Sequence, residues 1–271
     1  LNSKTKRRLF ALALISGTFP VLITSFGQYF FNWTGPFEIL NGLIIWYQRP
    51  LNKLGGLTGL FNNQNYLGSW LNFVWPFCIA LLIEKRNDIF RKTIAFSFLI
   101  SIGFATFLTF SRNAWLGLLT SFPLVVGKKG MIIFLPLLSI IGSFLIFLFS
   151  PIFSGEIQDY LRNLIPEKIF LQFSSAGYEN IDFSRLEIFS SALNVIKKSP
   201  IFGTGAASFS KIFFLETNSW KGHSHNLILE LAISYGIPIT ILFFTTILII
   251  LILSGKSIFF NNKINISLFD R

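Results

Sequence analysis

The chain has 271 residues, of which 52% are hydrophobic and only 13% charged, with a mean hydropathy of +0.62. A soluble domain of that length shows far more charge to water, so the composition excludes a soluble globular fold. The net charge of +11 invites a nucleic-acid reading, but no face-clustered basic patch supports it, and no nucleic-acid partner is expected.

Apolar runs long enough to cross a bilayer as helices, roughly 18 residues or more, predict an all-α polytopic membrane protein. About six spans are read, at 9–27, 67–83, 93–110, 114–127, 131–150 and 227–253. The fourth is short and is drawn from the basic residues that bracket it as much as from its length. The first is too long for a signal peptide and lacks a small-residue cleavage site. The chain opens on Leu1 and its sole methionine is Met131, so it is expected to be the C-terminal part of a longer protein. The stretch FEILNGLIIWY (37–47) is too short to cross and is expected at the interface or packed re-entrantly. Cys78 stands alone in mid-span, which rules out a disulfide framework and a cysteine metal site and reads as a small buried apolar residue.

The charges orient these spans. Thirteen basic residues (Lys4, Lys6, Arg7, Arg8, Lys85, Arg86, Arg91, Lys92, Lys128, Lys129, Lys256, Lys263 and Arg271) fall on one side, against Glu84, Asp88 and Asp270. The short loops of the other side hold Arg49, Lys53 and Arg112, while residues 151–225 carry seven basic and seven acidic residues. By the positive-inside rule both termini are cytoplasmic, with membrane lipid headgroups as counter-charge. The organisation expected is five spans in 1–150, an outer loop over 151–225, and the last span with a cytoplasmic tail in 226–271.

The outer loop carries its own structure. DFSRLEIFSSALNVIKKSPIFGTG holds a capping box, Ser184-x-x-Glu187, and Leu186, Phe189, Leu193 and Ile196 at helical spacing on one face. Lys197 and Lys198 suit the negative helix end, and Pro200 with Gly203 ends the helix. GAASFSKIFFLE reads as a second short helix, and the Gly-Thr-Gly at 203–205 as a helix stop and not a nucleotide loop.

Both histidines, His223 and His225, lie at the start of the last span, in GHSHNLILELAISYGIPI. At i and i+2 they suit a metal on a strand, which would need further ligands; polar residues at a helix start; or a general base at the water boundary. Asn226 is a good helix cap. Glu230, one turn into the span, is costly in lipid and so a functional candidate, on the face of Asn226. Arg112 ends the third span on the side where arginine is disfavoured, which suggests either snorkelling or a counter-anion. Arg185 opens a helix whose dipole opposes it, which makes sense if an anion sits there. There is no serine nucleophile elbow and no Asp-x-Asp pair. Two arginines and a histidine suit transfer from a pyrophosphate-linked donor: guanidinium steadies the leaving group and imidazole takes the acceptor's proton.

SRNAWLGLL, SRLEIFSSALNVIKKSPIFGTGAASF and HSHNLILELAISYG closely resemble the O-antigen ligase and polymerase family of bacterial membrane proteins, and GLFNNQNYLG (59–68) is similar to that family's asparagine-containing loop. The family signature, His, then Asn, Ser or Gln, then nine residues, then Gly-x-x-Gly, is met by His225, Asn226 and Gly236; Ile239 replaces the second glycine and Pro238 intrudes. The resemblance implies a C-type glycosyltransferase-like helical fold and metal-free, cofactor-free inverting transfer. The donor is an undecaprenyl-pyrophosphate-linked glycan, and the acceptor a hydroxyl of lipid A core, growing polysaccharide or protein, at the periplasmic face of the inner membrane. His225 is then the catalytic base, Arg112 and Arg185 hold the pyrophosphate, and Asn226, Asn65, His223 and Glu230 are candidate substrate contacts. Two rivals stand beside this: a transporter, since some relatives have been proposed to be involved in inorganic carbon uptake, and a fragment inactive without missing spans.

Overall fold

The computed structural model describes residues 4–51, 55–84, 88–150, 152–153, 155–173 and 183–259. The chain divides into two compact units, Leu1–Ser174 with Asn262–Arg271, and Ser175–Asn261.

The first unit opens with helix α1 (Lys4–Phe31) and continues through strands β1 (Phe37–Ile39) and β2 (Ile44–Trp46) to α2 (Gln64–Ile83), α3 (Ile89–Leu108), α4 (Arg112–Val126) and α5 (Lys128–Phe149). Two shorter helices follow, α6 (Glu156–Asn163) and α7 (Glu167–Phe173). Its core lies among α1, α2 and α3, where Ile15, Leu67, Leu71, Val74, Ile102 and Ala105 are buried with Leu57 from the loop above. Cys78 is part of this core and fully buried, as expected of a small apolar residue. Small residues set the closest approach between helices: a side chain at Gly68 would run into Ala114, and one at Gly117 into Asn72, so α2 and α4 touch nearly backbone to backbone. Glycine and alanine contacts are how helices associate where lipid removes the hydrophobic drive. At one end of the bundle Arg8 pairs with Glu84 at 3.4 Å.

Among the described residues five helices, α1, α2, α3, α5 and one at Ile237–Lys256, are long and apolar enough to cross a membrane, giving an all-α polytopic architecture. The predicted span at 114–127 is helical too, as α4, but its 15 residues rise only about 22 Å, short of the roughly 30 Å hydrocarbon core. Glycine at 127, with φ +82, ends it sharply. Residues 37–47 form an antiparallel β-hairpin pairing Phe37 with Trp46 and Ile39 with Ile44. Asn41-Gly42 was the available signal, since both take positive φ in the turn, 53° and 86°. Gln48 fastens the hairpin to α1 by donating to the Thr24 carbonyl at 3.0 Å.

The second unit comprises α8 (Arg185–Lys198), α9 (Ser208–Thr217), α10 (Leu227–Tyr235) and α11 (Ile237–Phe259). The capping box predicted at Ser184 is present: its hydroxyl accepts from the Glu187 N–H, and the Glu187 carboxylate accepts from the Ser184 N–H at 2.6 Å. The buried face of α8 differs from the one expected. Ile188, Ala192, Val195 and Ile196 pack on Phe209, Phe213, Ala232 and Ile233, while Leu186 and Leu193 stay exposed. Both sets repeat at helical spacing. Ala192 decides between them, because its small side chain brings the helix close to the two phenylalanines of α9.

The last predicted span, 227–253, is broken. Gly236 takes φ +84, and a Cβ there would collide with the Ile201 carbonyl oxygen. The Gly-Thr-Gly segment reaches the same break: Thr204 N–H donates to Ile233 O at 2.6 Å, Gly205 N–H to Ser234 O at 3.2 Å, and Ile237 N–H to Pro200 O at 2.8 Å. The first two bonds satisfy carbonyls that end α10, and the third satisfies the first N–H of the helix that follows. Pro238 then sits in the first turn of α11, where a missing N–H is tolerated.

Candidate functional site

The sequence-predicted residues fall into two groups, one in each unit. In the second unit the histidine loop is pinned at successive points. The Gly222 carbonyl accepts from Ser210 Oγ of α9 at 2.7 Å. Ser224, fully buried, gives both its N–H, at 2.8 Å, and its hydroxyl, at 2.9 Å, to one oxygen of Glu230. Asn226 caps α10, its Oδ1 accepting from Ile228 N–H at 2.9 Å and Leu229 N–H at 3.2 Å. Asn226 therefore serves as the predicted cap, and its amide nitrogen is the group that could reach a ligand.

Between these fixtures His225 adopts φ +56. A left-handed residue that is not glycine costs of order 1 kcal/mol or more and persists only where its surroundings dictate it, often at functional sites. The residue is exposed to solvent, and its ring lies 4.4 Å, centroid to centroid, from the ring of His223 at 49°. Partial burial pushes the His225 imidazole below the ordinary histidine range; the positive charges of His223, Arg185 and Lys221 push it the same way, and Glu230 pulls against them. A lowered value keeps the ring neutral, the form that accepts a proton at neutral pH. Arg185, predicted from the far end of the loop, is thus brought within electrostatic reach of His225. At the α8 N-terminus the Glu187 carboxylate already reaches back to the Ser184 cap, and its hydrogen bonds with Ser184 hold its pKa below the ordinary carboxylate value, so it stays charged. The guanidinium of Arg185, more than the helix end, is what α8 offers an anion.

In the first unit Arg112, half-buried, opens α4 directly after a tight turn in which Phe110 takes φ +50. Asn65 turns out to organise that turn: Ser111 Oγ donates to Asn65 Oδ1 at 2.9 Å. Asn63 caps α2 alongside, accepting from Asn65 N–H at 2.8 Å. The serine that precedes α4 is therefore drawn toward α2 and forms no side-chain cap. One turn beyond Arg112, Trp115 lines an almost wholly apolar groove of about 550 Å³, shared by Trp75, Phe107, Leu118, Phe122 and Phe134.

The profile of the O-antigen ligase family matches residues 95–244, just over half of the chain. The chain belongs to the O-antigen ligase family. The matched region runs from α3 through α10 into α11 and holds Arg112, Arg185, His223, His225 and Glu230. Membership makes this a membrane enzyme of the ligase and polymerase type, a glycosyltransferase-like class that uses a lipid-linked glycan donor and an acceptor. A search of curated proteins found no match. Sequence reasoning missed Ser224, Ser210 and Lys221, which shape or charge the histidine loop of this family member. The one available signal was the carboxylate six residues after a serine wedged between two histidines. Among the described residues, no group of three or more His, Cys, Asp or Glu side chains gathers as a metal site.

Proposed function

We propose that this family member transfers a glycan from an undecaprenyl-pyrophosphate donor to a hydroxyl acceptor at the periplasmic face of a bacterial inner membrane, by one inverting displacement with no metal. His225 is the base. It takes the acceptor's hydroxyl proton as the oxygen bonds to the anomeric carbon, and the bond from that carbon to the pyrophosphate oxygen breaks. Arg112 and Arg185 stabilise the charge that builds on the departing pyrophosphate, a task guanidinium performs by bidentate contact. The isoprenoid chain of such a donor suits the apolar groove that begins one turn from Arg112. His223, Asn226 and Asn65 are the remaining candidates for contact with the sugars.

The observation that carries this reading is the left-handed, loop-pinned His225, with Arg185 within electrostatic reach of its ring and its pKa lowered. The test is glycan transfer from an undecaprenyl-pyrophosphate-linked oligosaccharide, comparing the wild type with His225→Ala, Arg112→Ala and Arg185→Ala at matched expression, with and without EDTA. Removing the base is expected to cost about 10² to 10⁴ in rate, both arginine variants to lose most product, and EDTA to have no effect. Near-normal transfer by His225→Ala would end the base assignment, and a wild type inert toward every donor would end the transferase reading.

A further inference from the structure

Glu230 takes no part in the displacement above, yet the histidine loop is folded around its carboxylate. We infer that Glu230 is a positioning residue for His225, acting through Ser224 and without touching substrate, a role that rests on His225 being the base. One carboxylate oxygen receives both the main-chain N–H and the hydroxyl of Ser224. Ser224 is fully buried and lies between the two imidazoles. The carboxylate therefore fixes the peptide that enters His225, while the Asn226 cap fixes the peptide that leaves it.

Held from both sides, His225 is confined to its left-handed conformation. Without the carboxylate, the Ser224 N–H would be left buried and unpaired, a cost that loop rearrangement relieves. The extended backbone that histidine otherwise prefers would then swing the ring away. Glu230 can reach back because it stands four residues after the cap, one helical turn away, at the positive end of α10 where a carboxylate is favoured. Its charge also faces the ring. Arg185 from α8, with Lys221 and His223 from the loop, all disfavour the imidazolium, and Glu230 opposes them.

The test uses the full chain in lipid nanodiscs with the same undecaprenyl-pyrophosphate-linked oligosaccharide, comparing Glu230→Ala, Glu230→Gln and Ser224→Ala. Glu230→Ala is expected to lower kcat by about 10- to 100-fold, the scale of an ångström-sized misplacement, with donor KM within about threefold. Glu230→Gln keeps an oxygen that accepts both bonds and should rescue most of that loss at neutral pH. Its acid limb should move to lower pH, because the charge that favoured the imidazolium has gone. Ser224→Ala keeps the main-chain bond and should fall between the two. NMR of the His225 ring and amide, assigned with His223→Gln, gives a readout that needs no turnover: wild-type-like in Glu230→Gln, collapsed toward an unstructured loop in Glu230→Ala. Wild-type kcat and spectra in Glu230→Ala would overturn the role. So would a Glu230→Gln as impaired as Glu230→Ala, which would assign the effect to charge alone. If His225→Ala proved fully active, the base reading would fall, while the spectra would still decide whether Glu230 holds His225.

Discussion

The base proposed at His225 is useful only if it is unprotonated, and that condition is built from its neighbours. Partial desolvation and the cations His223, Arg185 and Lys221 lower its pKa against the pull of Glu230. A lowered pKa means that the proton-accepting form persists below the usual value near 6.5. Transfer should therefore hold its rate as pH falls through about 6.5 and decline only below it. Initial rates measured across roughly pH 5 to 8 check this. Arg185→Gln removes one of the cations, so its acid limb should move to higher pH as its overall rate drops; a limb that stayed put would show that Arg185 does not act on the ring. Residue types and spacing made the histidine, the arginine and the cap legible. The role of Ser224 was not, because a serine between histidines has no meaning until a carboxylate six residues on is folded back to meet it.

At the scale of elements, the break between α10 and α11 places the histidine loop. The sequence reads as one apolar run from 227 to 253, since periodicity cannot register a single residue with positive φ. Gly236 alone permits the break, for two reasons that can be separated: its φ of +84, and the Ile201 carbonyl where a side chain would go. Gly205 has a comparable φ, +101, with open space around it. Gly236→Ala should thus destabilise the protein by about 2–4 kcal/mol, and Gly205→Ala by only about 1 kcal/mol. Thermal unfolding of the purified proteins compares them, and equal losses would remove the carbonyl from the account. The misjudged face of α8 has a similar cause. Leu186, Phe189, Leu193 and Ile196 satisfy helical spacing as well as Ile188, Ala192 and Val195 do, and the choice was made by α9 and α10.

For the whole molecule, the charge asymmetry makes a prediction about sidedness. Cys78, the one cysteine of the sequence, is fully buried, so the unsubstituted chain should be silent to thiol reagents. Trp220→Cys, at a site 66% exposed beside the histidine loop, should react with a membrane-impermeant maleimide added to intact spheroplasts. Ile89→Cys, 80% exposed at the start of α3, should react only after permeabilisation. The reverse pattern would place the histidine loop in the cytoplasm and remove the periplasmic site. Composition and apolar run length by themselves determined a polytopic helical membrane protein, because the bilayer demands long apolar helices whatever they pack against. The family motifs and the capping box were equally local, since each is a matter of residue type at short spacing. Only the tertiary structure decided that Asn65 holds the turn before Arg112, that Glu230 holds Ser224, and that Ile201 meets Gly236. Those contacts join residues from neighbouring elements or close on a turn that no periodic pattern announces, and hydrogen-bond geometry selects them only once the chain has packed.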